Sequence, residues 1–174
     1  DVVTDTITLT ADDGTTQDID ITITGTNDNP VVTGTFTGAV DEGDLGDTVT
    51  ATGTIAISDV DADDAPVFAD TTQAGTYGSL ALVGGNWTYT LNQAAVQDLD
   101  AGDVVTDTIT LTASDSTTQD IVITITGTDD APVVTGTFTG AVDEGDLGDT
   151  VTATGTLAIS DVDADDAPVF ADTT

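Results

Sequence analysis

The chain has no lysine, arginine or histidine among its 174 residues, and its 33 acidic residues give it a net charge of −33 at pH 7. Because no side chain is a cation, each carboxylate needs water, a backbone N–H group or an external cation. Nothing on the chain can neutralise phosphate, which excludes nucleic acid and anionic membrane as partners. So large a charge keeps a chain soluble but destabilises its compact state through self-repulsion.

Cysteine and methionine are also absent, and aromatic residues make up only 4% of the chain. Without cysteine there is no disulfide or thiolate chemistry. Acid–base catalysis without histidine or lysine would need a carboxylate pair in an apolar cleft, which solvated loop aspartates do not supply. No apolar run is long enough to cross a membrane, and we expect no signal peptide within these residues. We therefore expect a non-catalytic segment that makes no membrane contact.

What the sequence does have is an internal repeat. Residues 1–72 return as residues 103–174, so the period is 102 residues. A period of this size corresponds to one small domain and predicts a tandem array. The two copies differ at only six positions of the first copy, namely Asp12, Gly14, Asp20, Asn27, Asn29 and Ile55.

The hydrophobic pattern predicts half-buried antiparallel strands with threonine on the exposed face. Residues 48–58, 105–113 and 118–127 alternate apolar residues with mainly threonine, which is the period of a β-strand. A glycine-containing turn at residues 84–86 joins two further apolar strands and predicts a hairpin. Only residues 94–99 look helical. About seven strands per repeat predict an all-β, immunoglobulin-like Greek-key sandwich.

Two side chains allow more than one interpretation. Asp107 falls on the inward phase of its strand, so we expect it at an exposed strand end or a bulge. Trp87 shares a strand face with Tyr89 and Leu91. This placement favours core packing of Trp87 over a role, with Tyr77, in binding a glycan.

Turn formers followed by proline mark the predicted domain edges. Residues 26–30 and 128–132 both end in a proline that cannot continue a central strand. We therefore predict that residues 1–28 are the last two strands of a preceding repeat. Residues 29–130 are a complete repeat, and residues 131–174 are the first strands of a following one. Neither flanking piece has enough strands to close a sandwich core alone.

The acidic residues cluster in loops, at residues 59–64 and 161–166, at residues 98–103 and at the predicted domain edges. Two unit charges about 4 Å apart repel by about 1 kcal/mol in water and about 4 kcal/mol near a protein surface. Several such pairs are large against a domain stability of about 5–15 kcal/mol. Ca²⁺ binds six to eight carboxylate, amide and carbonyl oxygens, whereas Zn²⁺ prefers the missing His and Cys. The clusters predict calcium sites, although isolated acids such as Asp70 are explained by turn formation alone.

Two motifs resemble a known family. The strand at residues 78–82 with the Trp87-x-Tyr89-x-Leu91 hairpin strand, and the Thr-Asn-Asp-Asn-Pro junction at residues 26–30, resemble the VCBS repeat of very large bacterial surface proteins. These repeats are similar to cadherin-like domains and serve as extender modules in RTX-type adhesins. The resemblance implies type I secretion, an extracellular position on the bacterial cell surface, and a role in adhesion or biofilm formation.

The resemblance also implies that Ca²⁺ lies where successive repeats meet, with ligands from four places. Glu42 follows the first strand, Asp100 and Asp103 match the Leu-Asp-Arg-Glu segment, the linker supplies two acids, and the next repeat supplies Asp-x-Asp. Gly102 departs from this pattern because it replaces the glutamate. The predicted metal ligands at the two junctions are Asn27, Asp28, Asn29, Glu42, Asp59, Asp61, Asp100, Asp103, Asp129, Asp130, Asp161 and Asp163.

Two functions follow as hypotheses. The first is a calcium-stiffened, non-catalytic extender that holds a distal binding domain away from the cell, with neighbouring repeats of the same chain as its partners. The alternative is a subunit of a self-assembling extracellular matrix fibre, in which calcium or strand exchange joins identical chains.

Overall fold

The computed structural model describes residues 1–61 and 63–173. Over these residues the chain is all-β, as predicted, with four sheets and one short 3₁₀ turn at Gln93–Ala95. This turn overlaps the first two residues of the stretch 94–99 that was predicted to be helical. The strands are β1 Val2–Thr10, β2 Thr16–Thr24, β3 Val31–Gly34, β4 Thr37–Asp41, β5 Thr50–Ser58, β6 Thr71–Ala74, β7 Gly78–Val83, β8 Asn86–Leu91, β9 Val104–Thr112, β10 Thr118–Thr126, β11 Val133–Gly136 and β12 Leu157–Ser160.

Two of the sheets share one hydrophobic core, as in a β-sandwich. The larger sheet has the order β3-β5-β8-β7-β6, and the smaller has the order β4-β10-β9. All neighbouring strands are antiparallel except β4, which runs parallel to β10. Leu80, Trp87 and Tyr89 enter the core from the larger sheet, and Ile121 and Ile123 enter it from the smaller. The threonines between them face outwards, as the alternating pattern predicts.

Trp87 lies at the centre of this core. Its side chain is fully buried, and its Nε1 donates a hydrogen bond of 2.8 Å to the carbonyl of Thr35. A Cβ added at Gly53 would lie 2.4 Å from Trp87 Cζ2, so only glycine leaves room for the ring there. The prediction that Trp87 packs in the core is confirmed.

The consecutive short strands β3 and β4 belong to different sheets. β3 belongs to the larger sheet, and β4 crosses to the smaller sheet beside β10. Gly34 permits the crossing, because its φ is +140° and a Cβ there would lie 2.1 Å from the carbonyl oxygen of Thr54. The alternating pattern predicts neither β4 nor β6, because both strands are short.

The prediction for Asp107 is wrong. Asp107 lies in the middle of β9, is only 1% exposed and faces the core. Its carboxylate accepts hydrogen bonds from the backbone N–H groups of Thr76 and Tyr77, at 2.9 and 3.0 Å, and from Tyr89 Oη at 2.9 Å. Burial, followed by the contact with Asp107, raises the pKa of Tyr89 well above its usual value. Three donors replace water around Asp107, which is how a buried carboxylate is accommodated.

The two ends of the chain form separate two-stranded sheets. β1 pairs with β2 in the register that β9 adopts with β10 one period later, and β11 pairs with β12 as β3 does with β5. The Ile and Leu side chains of β1 and β2 are exposed, whereas their counterparts in β9 and β10 are buried, namely Ile109, Leu111, Ile121, Ile123 and Ile125. This contrast is what the proposed division into partial and complete repeats predicts, and the division itself stays a prediction.

Candidate metal centre

The loop after β12 is held against the linker that follows β10. Asp163 in this loop is only 3% exposed. Its Oδ2 accepts a hydrogen bond of 2.8 Å from the backbone N–H of Asp130. Within the loop, Asp161 Oδ1 accepts a bond of 3.3 Å from the N–H of Asp163, and the N–H of Asp166 donates to the carbonyl of Asp163. These bonds hold the loop in place with the carboxylate of Asp163 against the linker.

One set of these acids has the spacing of a cation site. Carboxylate oxygens of Asp129, Asp163 and Asp166 all lie within 4.8 Å of one another. The buried Oδ1 of Asp163 and the buried Oδ2 of Asp130 have no hydrogen-bond donor within reach. A buried carboxylate oxygen without a donor is costly unless a cation replaces the lost hydration. Hard oxygen ligands at this density suit Ca²⁺, so the residues fit the predicted ion.

The body of the sandwich supplies Glu42, which is buried at the end of β4. Its Oε1 accepts a bond of 2.9 Å from Gln97 Nε2, and its Oε2 accepts a longer bond of 3.3 Å from the N–H of Thr128. The side chain therefore reaches the linker next to Asp129. Burial raises the pKa of Glu42 above its usual value, and the negative charges of Asp130 and Asp163 raise it further.

The segment before β9 supplies Asp100. Asp100 Oδ1 lies 3.5 Å from the N–H of Asp165, and the carbonyl of Asp98 accepts a bond of 3.3 Å from the N–H of Ala164. A Cβ at Gly127 would lie 2.4 Å from the carbonyl oxygen of Asp100, so glycine allows the linker to begin against this segment. The backbone of Asp98 and the side chain of Asp100 therefore both contact the loop that follows β12.

The negative charges of these neighbouring acids raise one another's pKa values. Loss of hydration is the main cause that raises the pKa of Asp130, and the charge of Asp163 is the next. The pKa values of Asp100 and Asp166 are raised in the same way, first by desolvation and then by neighbouring carboxylates that include Asp163. Asp103 contributes to the shift at Asp100. Such mutual repulsion, with no cationic side chain in the sequence, is the condition that a divalent cation relieves.

The earlier junction repeats two of these hydrogen bonds but has a different set of close carboxylates. Asp61 Oδ2 accepts a bond of 2.7 Å from the N–H of Asp28, and Asp59 Oδ1 accepts one of 2.9 Å from the N–H of Asp61. Carboxylate oxygens of Asp59, Asp61 and Asp64 lie within 4.8 Å of one another. Asn29 joins Asp59 and Asp64 in the lining of an adjacent cleft of about 400 Å³.

The structure therefore brings most of the predicted ligands together in two groups, although nothing in it identifies the ion. Asn27 lines the same cleft as Asn29, and its side-chain amide donates to the carbonyl of Asp28. Asp103 lies at the edge of its group and contributes a charge, without belonging to the compact set of carboxylates. The predicted residues of the second group are Glu42, Asp100, Asp103, Asp129, Asp130, Asp161 and Asp163, and those of the first are Asn27, Asp28, Asn29, Asp59 and Asp61.

Two acids of these groups, Asp64 and Asp166, are not among the predicted ligands. Both stand five residues after the first acid of an Asp-x-Asp-x-x-Asp pattern. A turn brings each one back, since its N–H donates to the carbonyl of the middle acid. The spacing of the acids in this pattern is the signal that the sequence offers. It predicts a contact between the first and last acid only if the turn between them is known.

Comparison with protein-family models and with curated proteins found no match. In residues 1–61 and 63–173 no helix is long and apolar enough to span a membrane. The geometry of the two acidic groups therefore carries the functional argument.

Proposed function

We propose that the chain is a non-catalytic extender segment of a large secreted bacterial surface adhesin, stiffened by calcium where its repeats meet. The observation that carries this proposal is Asp163, buried between the sandwich body and the next strands with one carboxylate oxygen unpaired. At this position Asp163 would bind an ion that is shared with ligands from both sides of the junction.

The sandwich is proposed to be immunoglobulin-like and cadherin-like. The crossing of the chain from β3 to β4, and the parallel pairing of β4 with β10, support this assignment. The assignment also places the start of each repeat at one end of the sandwich and its last strand at the other, so that repeats are joined end to end.

The proposed ligands come from three parts of the chain. Glu42 and Asp100 belong to the sandwich body, Asp129 and Asp130 to the linker, and the Asp161–Asp166 loop to the following strands. Bound Ca²⁺ would supply positive charge that neutralises this cluster and joins the three parts. Bending the junction would then separate ligands from their shared ion, so that a flexible linker becomes a stiff joint. Each repeat, with strands of nine residues at about 3.3 Å per residue followed by an extended linker, would add roughly 40 Å of reach.

A calcium titration followed by thermal unfolding tests the proposal. A ligand that binds only the folded state raises its stability by RT ln(1 + [L]/Kd), about 2.7 kcal/mol at a hundredfold excess over Kd. The melting temperature should therefore climb with Ca²⁺ far more than with NaCl or Mg²⁺ at equal ionic strength. Equal shifts in all three salts would show that the acids need only screening, and the proposal would fail.

A further inference from the structure

The segment between β8 and β9 sends two glutamine side chains to the end of β4. Gln97 Nε2 donates two hydrogen bonds, one of 2.9 Å to Glu42 Oε1 and one of 2.8 Å to the carbonyl of Gly43. Gln93, in the short 3₁₀ turn, is only 5% exposed, and its Oε1 accepts a longer bond of 3.4 Å from the N–H of Gly43. The two glutamines therefore fix both the side chain of Glu42 and the residue that follows it.

The amide group of Gln97 suits this place because it is a neutral donor. A side-chain amide has two N–H donors, and the bonds to Glu42 and Gly43 use both. A cationic side chain there would neutralise Glu42 in an ion pair, whereas the amide leaves its negative charge available to a metal ion. The second carboxylate oxygen, Glu42 Oε2, accepts the longer bond of 3.3 Å from the N–H of Thr128. Oε2 is therefore the less firmly bonded oxygen, and it lies at the linker.

Gln97 also stands three residues before Asp100, the other proposed ligand from the sandwich body. Val96 anchors this segment, because its side chain is only 1% exposed in the core and its carbonyl accepts a bond of 3.0 Å from the N–H of Leu99. The same anchored turn directs Gln97 to the end of β4 and Asp100 to the loop after β12. One short segment thus relates the two body ligands to each other.

The internal repeat shows that local sequence does not hold the glutamate in place. Residues 39–47 recur unchanged as residues 141–149, so Glu144 has the same sequence neighbours as Glu42. Glu144 is exposed, whereas Glu42 is only 6% exposed. Contacts from other segments therefore fix the position of Glu42, and Gln97 supplies the shorter of the two hydrogen bonds to its carboxylate.

We propose that Gln97 is a positioning residue for the junction ion, because its amide holds Glu42 in place relative to Asp100 before the ion binds. This inference rests on the proposed calcium site and adds to it a residue that would not contact the ion. Removing a hydrogen bond that orients a metal ligand typically weakens metal affinity by about 10–100-fold. Ligands that are arranged in advance bind more tightly, since their ordering no longer opposes binding.

The test is a calcium titration of the full chain followed by NMR, which monitors each acidic group separately. The backbone amides of Asp130 and Asp28 are the reporters, since each donates to a carboxylate of its own group. The test variant is Gln97→Met, which keeps an unbranched, flexible side chain and removes the donor. Gln119→Met is the matched control, because Gln119 is also half-buried and also donates to a backbone carbonyl, that of Asp120, outside both groups.

In Gln97→Met the calcium midpoint at Asp130 should rise by about 10–100-fold, while the midpoint at Asp28 stays unchanged. Gln119→Met should shift neither midpoint. A purely structural role of Gln97 would lower the melting temperature in chelator without moving the midpoint at Asp130. That result, or equal shifts at both reporters, would overturn the inference and leave the calcium proposal standing. If neither reporter of the wild type responds to Ca²⁺, the proposed function itself fails, and this inference fails with it.

A second measurement uses the wild type alone and therefore does not depend on the folding of a variant. If Gln97 is bonded before the ion binds, its side-chain amide protons in chelator should exchange with solvent about tenfold more slowly than those of Gln119. Equal exchange rates would show that the amide is not held in advance and would reject the inference.

Discussion

Replacing Asp163 by asparagine should change stability in opposite directions with and without calcium. The change keeps the size of the side chain, and the amide oxygen can still accept the bond from the N–H of Asp130. What it removes is one negative charge from the centre of the acidic group. The effect of that charge depends on whether a cation is present.

The magnitude without calcium follows from the distances. Oxygens of Asp163 and Asp129 lie within 4.8 Å of each other. Two unit charges at this separation repel by about 1 kcal/mol in water and about 3–4 kcal/mol near a protein surface. Because Asp129 is exposed, the lower part of this range applies, and Asp163→Asn should stabilise the chelated protein by about 1–2 kcal/mol. That corresponds to a melting temperature about 4–10 °C higher.

With calcium the same substitution removes a ligand. A weaker site should lower the melting temperature in millimolar Ca²⁺ below that of the wild type, so the sign of the difference reverses. Differential scanning calorimetry in chelator and in Ca²⁺ measures both values. Asp120→Asn is the control, since Asp120 lies on the outer face with Thr110 and belongs to neither acidic group. If Asp163→Asn destabilises the protein equally in both buffers, Asp163 is only a hydrogen-bond acceptor and the metal argument is refuted.

Two further predictions concern pH and the buried aspartate. The pKa values of Glu42 and Asp130 are raised above 4.5 and 3.8. In chelator, stability from these groups is therefore full below those ordinary values and falls as pH rises through the raised ones, whereas in Ca²⁺ it should rise with pH because protons compete with the ion. Thermal unfolding across pH 4–7 checks the reversal, and the same slope in both buffers would contradict it. Asp107→Asn should cost about 2–4 kcal/mol in urea unfolding, because its amide group faces N–H donors. Its repeat counterpart Asp5 is exposed, so Asp5→Asn should cost almost nothing, and equal costs would contradict this account of the Asp107 contacts.

The long strands could be predicted because their apolar period is local. The alternation in residues 48–58, 105–113 and 118–127 needs no knowledge of partners, and the observed strands β5, β9 and β10 lie within a residue or two of these bounds. The hairpin could also be predicted, because two adjacent glycines favour the positive φ that Gly84 and Gly85 both adopt. β4 was not, because its short strand is selected by pairing with β10, which is remote in sequence.

Asp107 shows the limit of pattern reasoning most clearly. An aspartate at an inward-facing strand position conflicts with the apolar pattern unless the hydrogen-bond donors around it are known. Those donors lie at Thr76, Tyr77 and Tyr89, which only the folded sheets bring to it. The existence of the acidic groups could be predicted, because their aspartates lie close together in the sequence. Their exact membership was not, since it depends on turns that return Asp64 and Asp166 to their neighbours.

Small-angle X-ray scattering on a chain that carries several copies of the 102-residue repeat tests the central claim most directly. If calcium joins successive repeats into a stiff rod, the maximum dimension in millimolar Ca²⁺ should grow by roughly 40 Å with each added repeat. In chelator the increase should be much smaller, because the junctions bend. The same maximum dimension in both buffers would contradict the account.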